Sequence, residues 1–173
     1  METRFRFDSE IIETVLSGYV LSPHGVHGMG HWARVLETGL RLAEVTGADP
    51  SVVVFFALLH DARRVNDGRD PGHGRRGAEL AAAVGAPKLG LSDPQLELLT
   101  AACERHTDGL TEGDVTVLTC WDADRLDLWR VSITPDDRYL CTRAARNEIL
   151  KRWARERSLS GYVPDFVSAY WIR

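Results

Sequence analysis

The chain has 173 residues, of which 44% are hydrophobic and 27% are charged, a composition typical of one soluble globular domain. Its formal net charge of -4 argues against nucleic acid held by bulk positive charge, although a single nucleotide stays compatible with it. The longest apolar run, residues 52–59, is far shorter than the ~20 residues that cross a bilayer, and the N-terminus lacks the apolar stretch of a signal peptide, so we expect no membrane partner. Cys103, Cys120 and Cys141 lack paired spacing, which disfavours disulfides and thiolate zinc sites and favours a reducing, cytoplasmic setting.

Apolar residues recur at helical spacing along almost the whole chain and predict an all-α, single-domain bundle of about seven to nine helices. The first helix is expected to follow Asp8 and run through Val20, and the second to span residues 29–45 and stop at Gly47. The third begins at Asp49-Pro50-Ser51. The later helices are predicted over about residues 74–84, 92–106, 113–131, 135–145 and 147–157, with a last helix in the tail 162–173.

The third helix is apolar on all sides from Val52 to Leu59, which is typical of a helix surrounded by others. Its β-branched run would also suit a buried strand. The helical neighbours and the absence of a break signal favour a helix that continues through His60 to Val65. Because ionisable groups are buried only where they have partners, the pair His60-Asp61 at the end of this run predicts a partner such as a metal ion.

A single carboxylate lies on the apolar face of the predicted helix 113–131. That face is formed at spacings of three and four by Val117, Trp121, Asp124, Leu128 and Val131. Asp122 points roughly opposite, at ~200° from Asp124 given ~100° per residue. We therefore interpret Asp124 as the buried acid and expect Asp122 and Asp127 to be supporting or solvated. A salt bridge from Asp124 to a core arginine would explain the same pattern.

Two more histidines end or begin apolar faces. His106 closes the face of the predicted helix 92–106, where the helix dipole alone could favour it, and His31 lies in line with Val35 and Leu42. Each residue alone is more often structural, but four elements that each direct a His or Asp inward indicate convergence on one ion. Imidazole and carboxylate ligands suit a borderline or hard divalent metal. His31 and His60 are offset by about six residues, or ~9 Å, around the turn at Gly47, so a tilted crossing would have to bring them level.

The order of these residues resembles the HD-domain superfamily of metal-dependent phosphohydrolases. His31-Trp32-Ala33-Arg34-Val35 is similar to the first-histidine helix of the family, Leu58-Leu59-His60-Asp61 to its central motif, and Asp122-Ala123-Asp124-Arg125-Leu126-Asp127 to its closing segment. The resemblance covers about residues 24–131, with residues 132–173 as a helical extension of a single HD domain. It implies a divalent ion (Mn, Mg, Co, Ni, Zn or Fe) held by His31, His60, Asp61 and Asp124.

Two further segments resemble parts of HD subfamilies. They contain His73 and His106, which bind a second metal in dinuclear members and bind phosphate or are absent in others, so one ion is expected and a second stays open. His27 precedes His31 by one helical turn and could border the pocket. The other candidates for the pocket wall are Asp67, Asp70 and Arg105.

The reaction implied is hydrolysis of a phosphoester by a metal-activated water, in a nucleotide or another small phosphorylated metabolite. Arg64 follows Asp61 by one turn and Arg125 adjoins Asp124, so these two arginines are the best candidates for a phosphate clamp. Asp61, or one of the loop carboxylates Asp67 and Asp70, could act as general base.

Two alternatives stay open at this stage. A minority of HD proteins hold two irons and use dioxygen, and His73 and His106 are compatible with that. The other alternative is a non-catalytic domain that senses a metal or nucleotide. The sequence carries no signature for a base or a sugar and does not indicate mono- or diesterase activity, nor the oligomeric state.

Overall fold

A computed structural model describes residues 9–165 and residue 167, and within these residues it contains helices and connecting segments but no strand. This confirms the all-α fold. The helices are α1 Ser9–Ser17, α2 Met29–Thr46, α3 Pro50–Leu59, α4 His73–Val84, α5 Ala86–Leu89, α6 Asp93–Arg105, α7 Val115–Arg125, a 3-10 helix Leu128–Val131 and α8 Glu148–Ser160. None of them is long and apolar enough to cross a membrane.

Helix α3 forms the centre of the bundle. It packs against α2, α6 and α7, and α4 contacts it as well. Asp49 caps its start by accepting hydrogen bonds from the backbone N–H groups of Ser51 (2.9 Å) and Val52 (3.4 Å). The preceding helix α2 ends at Gly47, whose φ of 76° is left-handed. The chain therefore turns back within a few residues, and α3 is buried along its length as the sequence predicted.

Two glycines allow α4 to lie directly on the backbone of its neighbours. A Cβ at Gly77 would lie 2.7 Å from the carbonyl oxygen of Leu59, and one at Gly74 would lie 2.7 Å from that of Cys103. Only a residue without a side chain permits this approach. The contacts fix the start of α4 against the ends of α3 and α6.

The third helix is shorter than predicted, because α3 ends at Leu59 and residues 60–63 form turns. The N–H of Ala62 donates to Leu59 O at 3.2 Å and that of Arg64 to Asp61 O at 3.2 Å, so bonds to the third preceding residue replace helical ones. The prediction of a continuous helix to Val65 was wrong, and His60-Asp61 lies in a tight turn.

Two helices predicted in the C-terminal half of the chain also differ from the structure. The predicted helix 113–131 breaks after Arg125, and no helix forms over 135–145. Asp122 explains the second difference, since its buried carboxylate accepts the backbone N–H groups of Cys141 (2.6 Å) and Thr142 (2.8 Å) and holds that segment as a loop. The short helix α5 was not predicted.

Helix α8 confirms the prediction over 147–157 and extends a few residues further. Asn147 caps it by accepting from the N–H groups of Ile149 and Leu150. The predicted cap at Asp8 and most of the predicted tail helix lie outside the described residues.

Candidate metal centre

Six polar side chains from five parts of the chain meet at the buried end of α3. They come from the start of α2, the turn after α3, the start of α4, the residue after α6 and the end of α7. They are His31, His60, Asp61, His73, His106 and Asp124. These are the candidate ligands that the sequence had indicated for one or two ions.

The first half of the cluster contains His31, His60 and Asp124. The Nε2 atoms of His31 and His60 lie 3.0 Å apart. Asp124 Oδ1 lies 3.4 Å from the Nε2 of His31 and 3.7 Å from that of His60. The helix crossing therefore absorbs the offset of about 9 Å expected from the sequence.

The second half contains His73 and His106. Their Nε2 atoms are 2.9 Å apart. Asp61 Oδ1 lies 3.1 Å from the Nε2 of His73 and 3.7 Å from that of His106. The other oxygen of Asp61 lies 3.7 Å from the Nε2 of His31. One carboxylate thus faces both halves.

Each of the four histidines is oriented through its other ring nitrogen. The Nδ1 acceptors are Asp127 Oδ2 for His31 (2.8 Å), Phe56 O for His60 (3.0 Å), Asp70 O for His73 (2.5 Å) and Cys103 O for His106 (2.7 Å). A neutral imidazole that faces such an acceptor carries its proton on Nδ1, so the lone pair is on Nε2. All four lone pairs therefore point into the cluster.

Paired lone pairs at 2.9–3.0 Å repel each other unless a cation lies near them. A proton is a poor candidate in the first half, because burial lowers the pKa of His60 to about 3 and also lowers that of His31. In the second half, burial acts to lower the pKa of His106. Hydrogen bonding to Asp61 and the charge of Asp124 outweigh this effect, so the net shift of that pKa is upward. The donor set fits a divalent cation of borderline or hard character.

The acids of the cluster are ionised. Burial acts to raise the pKa of Asp61, but His60 and hydrogen bonds from His106 and other histidines hold it well below its ordinary value. Burial also opposes ionisation of Asp124, and the nearby histidines again lower its pKa. Two carboxylates and four imidazoles form a set that can bind metal.

Asp127 supports the first half in a way that the sequence did not predict. It accepts His31 Nδ1–H and two hydrogen bonds from Arg34, from Nε at 2.8 Å and from Nη2 at 3.0 Å. Burial acts to raise its pKa, but these donors lower it to about 2. The sequence had left Asp127 as supporting or solvated, and it is 2% exposed. Its role depends on the turn after α7, which helical periodicity did not reveal.

Arg130 is a second residue that the sequence analysis missed. Its Nε donates to Val26 O at 2.8 Å and its Nη2 lies 3.3 Å from His27 Nδ1, so it ties the loop before α2 to the 3-10 helix. Beside it opens a cleft of about 340 Å³ between this loop and the end of α8. His31 and Arg34 also line the cleft, so it reaches the first half of the cluster.

The predicted pocket residues divide into two groups. His27 lies at the centre, with Nδ1 2.8 Å from Asp61 Oδ2. Asp70 is buried but already accepts from the Val65 N–H (2.9 Å) and from Arg76, so it supports the loop. The other two predicted pocket residues, Asp67 and Arg105, are both exposed, and Arg105 lies outside the cluster.

The two predicted phosphate-clamp arginines have different surroundings. Arg64 Nη1 lies 3.4 Å from Asp61 Oδ1 and 3.1 Å from His73 Nε2, within the second half. The Arg125 guanidinium instead binds the carbonyl oxygens of Tyr139 and Leu110 and thereby fixes a loop. The geometry favours Arg64 as an anion-binding group, whereas the guanidinium of Arg125 is engaged by loop carbonyl oxygens.

These features define a helical bundle with a buried histidine and aspartate centre suited to metal. A model of the HD domain matches residues 28–141, more than half of the chain, so this protein belongs to the HD-domain family. A crystal structure described as that of a predicted HD superfamily hydrolase from an uncultured Thermotogales bacterium shares 25% sequence identity with it. That similarity has a TM-score of 0.61 and covers 86% of this chain and 83% of the other. No curated protein matches. The family predicted from the sequence is confirmed, and both findings support a metal-dependent phosphohydrolase family.

Proposed function

We propose that this protein hydrolyses a phosphoester of a small metabolite, such as a nucleotide, with divalent metal bound between its four histidines and two aspartates. The observation that carries the proposal is the pairing of buried Nε2 atoms at 3.0 Å and 2.9 Å on either side of Asp61. Four lone pairs and two carboxylates directed at one buried space favour a cation there. Two such halves sharing one carboxylate support a centre for two ions, with His73 and His106 as ligands of the second.

When bound, a divalent ion lowers the pKa of a water ligand and polarises a phosphoryl oxygen. The protein contributes orientation. Asp127 and three backbone carbonyls fix the imidazole rings, and His27 Nδ1 donates to Asp61 Oδ2 at 2.8 Å. Arg64, buried beside Asp61, has a guanidinium that suits a phosphoryl group. Because Asp70 is engaged by Val65 and Arg76, Asp61 and Asp67 are the carboxylates left to receive a proton.

The test is metal analysis of protein purified without chelator, followed by assays of chelated protein reloaded with Mn, Mg, Co, Ni, Zn or Fe. The substrates are nucleoside monophosphates, sugar phosphates and synthetic mono- and diesters. His60→Ala and Asp61→Ala are expected to lose both bound metal and turnover. Arg105→Ala, an exposed position outside the cluster, is the control and should retain both. A His60→Ala variant with full metal content and full rate would contradict the proposal.

A diiron centre that uses dioxygen is the second candidate. The same observation supports it, since two histidine pairs that share one carboxylate also suit two irons. Iron-loaded protein that consumes oxygen, with no phosphoesterase activity under any of the six metals, would favour this reaction. Tight binding of a nucleotide with neither activity would favour a sensor domain.

A further inference from the structure

Tyr19 carries a buried hydroxyl that has no hydrogen-bond partner in the part of the chain that the structure describes. The residue is 9% exposed. A buried hydroxyl that forms no hydrogen bond has lost its hydrogen bonds to water without replacing them. Native proteins rarely contain such an unsatisfied group. The hydroxyl therefore indicates a hydrogen-bond partner outside the described part of the chain.

The chain holds Tyr19 next to the turn that contains Asp61. Arg63, in that turn, donates to the carbonyl oxygens of Val15 (2.9 Å) and Thr14 (3.2 Å) at the end of α1. A Cβ at Gly18 would lie 2.6 Å from the Arg63 guanidinium, so the residue before Tyr19 is a glycine that lets the arginine pass. The end of α1 is thus bound to the segment that carries His60 and Asp61.

The Tyr19 ring is fixed from the other side by Trp32, the neighbour of His31 in sequence. The two rings meet edge to face, with centroids 5.0 Å apart and planes at 74°. Trp32 is fully buried, so this support is rigid. Tyr19 therefore belongs to a segment held on one side by the helix that carries His31 and on the other by the turn that carries Asp61.

The charges around the hydroxyl keep it a donor. Burial raises the pKa of Tyr19, the charges of Asp61 and Asp67 raise it further, and Arg64 acts in the opposite direction. The hydroxyl consequently keeps its proton at neutral pH. Arg64, whose Nη1 lies 3.4 Å from Asp61 Oδ1, and Tyr19 are therefore two donors of different kinds in the surroundings of Asp61.

We propose that Tyr19 is a substrate-binding residue whose hydroxyl donates a hydrogen bond to a phosphoryl oxygen bound beside Asp61 and Arg64. This inference rests on the proposed phosphoester chemistry and adds a residue to it. An anionic oxygen there would satisfy the orphaned hydroxyl and share the charge of Arg64. A neutral donor beside a guanidinium also suits an oxyanion without adding charge to a centre that holds two carboxylates.

The test is Tyr19→Phe, which removes only the hydroxyl, with Tyr139→Phe at a tyrosine that is 51% exposed as the matched control. Metal-loaded Tyr19→Phe should bind inorganic phosphate about 10-fold more weakly by calorimetry, with an equal rise in KM and a smaller change in kcat. Its metal content should equal that of the wild type. Its melting temperature should stay equal or rise, because the hydroxyl makes no bond within the fold.

Unchanged phosphate affinity in Tyr19→Phe, or a lowered melting temperature, would overturn the inference; the first result would mean that solvent satisfies the hydroxyl. Absence of phosphate binding by the wild type would overturn it too. Failure of the proposed function looks different, because it is absence of turnover in wild-type protein under every metal. Calorimetry with phosphate does not require turnover, so the two outcomes are separable.

Discussion

Replacing Asp127 by Asn should weaken metal binding although Asp127 is not among the candidate ligands. The carboxylate accepts from His31 Nδ1 at 2.8 Å and from both Nε and Nη2 of Arg34. An amide has one acceptor oxygen and directs an NH2 group at a donor on its other side. Either His31 or Arg34 then loses its acceptor in a site that is 2% exposed.

The magnitude follows from whichever of these two donors loses its acceptor. Removing the acceptor that orients a ligand histidine typically lowers metal affinity 10- to 100-fold, or about 1.4–2.7 kcal/mol. Leaving Arg34 without its buried carboxylate should lower the free energy of unfolding by about 3 kcal/mol, because a buried charge is uncompensated. Metal affinity is measured by competition with a chromophoric chelator, and unfolding by urea titration of the chelated protein.

Asp122→Asn is the matched control. Asp122 is also buried and also accepts several hydrogen bonds, but from Cys141 and Thr142 in a loop. The substitution should lower the free energy of unfolding by about 1–3 kcal/mol and leave metal affinity unchanged in folded protein. The reasoning is refuted if Asp127→Asn binds metal as tightly as the wild type, or if both variants lose affinity equally.

Three further results are expected. In Gly77→Ala, the added Cβ would lie 2.7 Å from Leu59 O and should force α4 away from it. The free energy of unfolding in urea should fall by about 1–3 kcal/mol, and the half of the centre that contains His73 should hold less metal. Unchanged stability would contradict this. Arg125→Ala should lower the melting temperature and leave the affinity for inorganic phosphate intact, whereas selective loss of phosphate binding would restore it as a phosphate clamp. The fold lowers the pKa of His60 from 6.5 to about 3, so the unfolded chain takes up the proton first. Metal-free protein should thus lose stability as pH falls from about 6.5 towards 3, and a flat profile in calorimetric scans would contradict the assignment of His60 as neutral.

The sequence predicted those elements whose signals are local. Asp49 and Pro50 at the start of α3, Gly47 after α2 and the apolar run of α3 all lie within the elements that they specify. The candidate ligands could be selected because each lies at the end of an apolar face or in a motif of the family. The choice of Asp124 as the acid that faces the cluster needed only the period of a helix, and the structure directs Asp124 at His31 and His60. The expectation that Asp124 is the more buried of the two acids was wrong, because Asp122 is 0% exposed.

The predictions that were wrong depend on partners distant in sequence. Residues 135–145 have helical composition, but Asp122 binds the N–H groups of Cys141 and Thr142 from nearly twenty residues away. In the same way, the sequence could not show that the guanidinium of Arg125, a candidate phosphate clamp because it adjoins Asp124, binds carbonyl oxygens of loops at 110 and 139. Tyr19 carries no motif at all. Its importance is visible only in the burial of a hydroxyl that nothing in the described chain satisfies.

The carboxylate of Asp61 lies between two pairs of histidines that different helices carry. The first pair of imidazoles is carried by α2 and the turn after α3, and the second by α4 and the end of α6, which pack against each other. A sliding of α4 and α6 as one body would change the spacing between the two pairs while the ligands within each pair kept their distances. The close contact of Gly77 with the end of α3 is therefore one of the contacts that set the spacing between the two pairs.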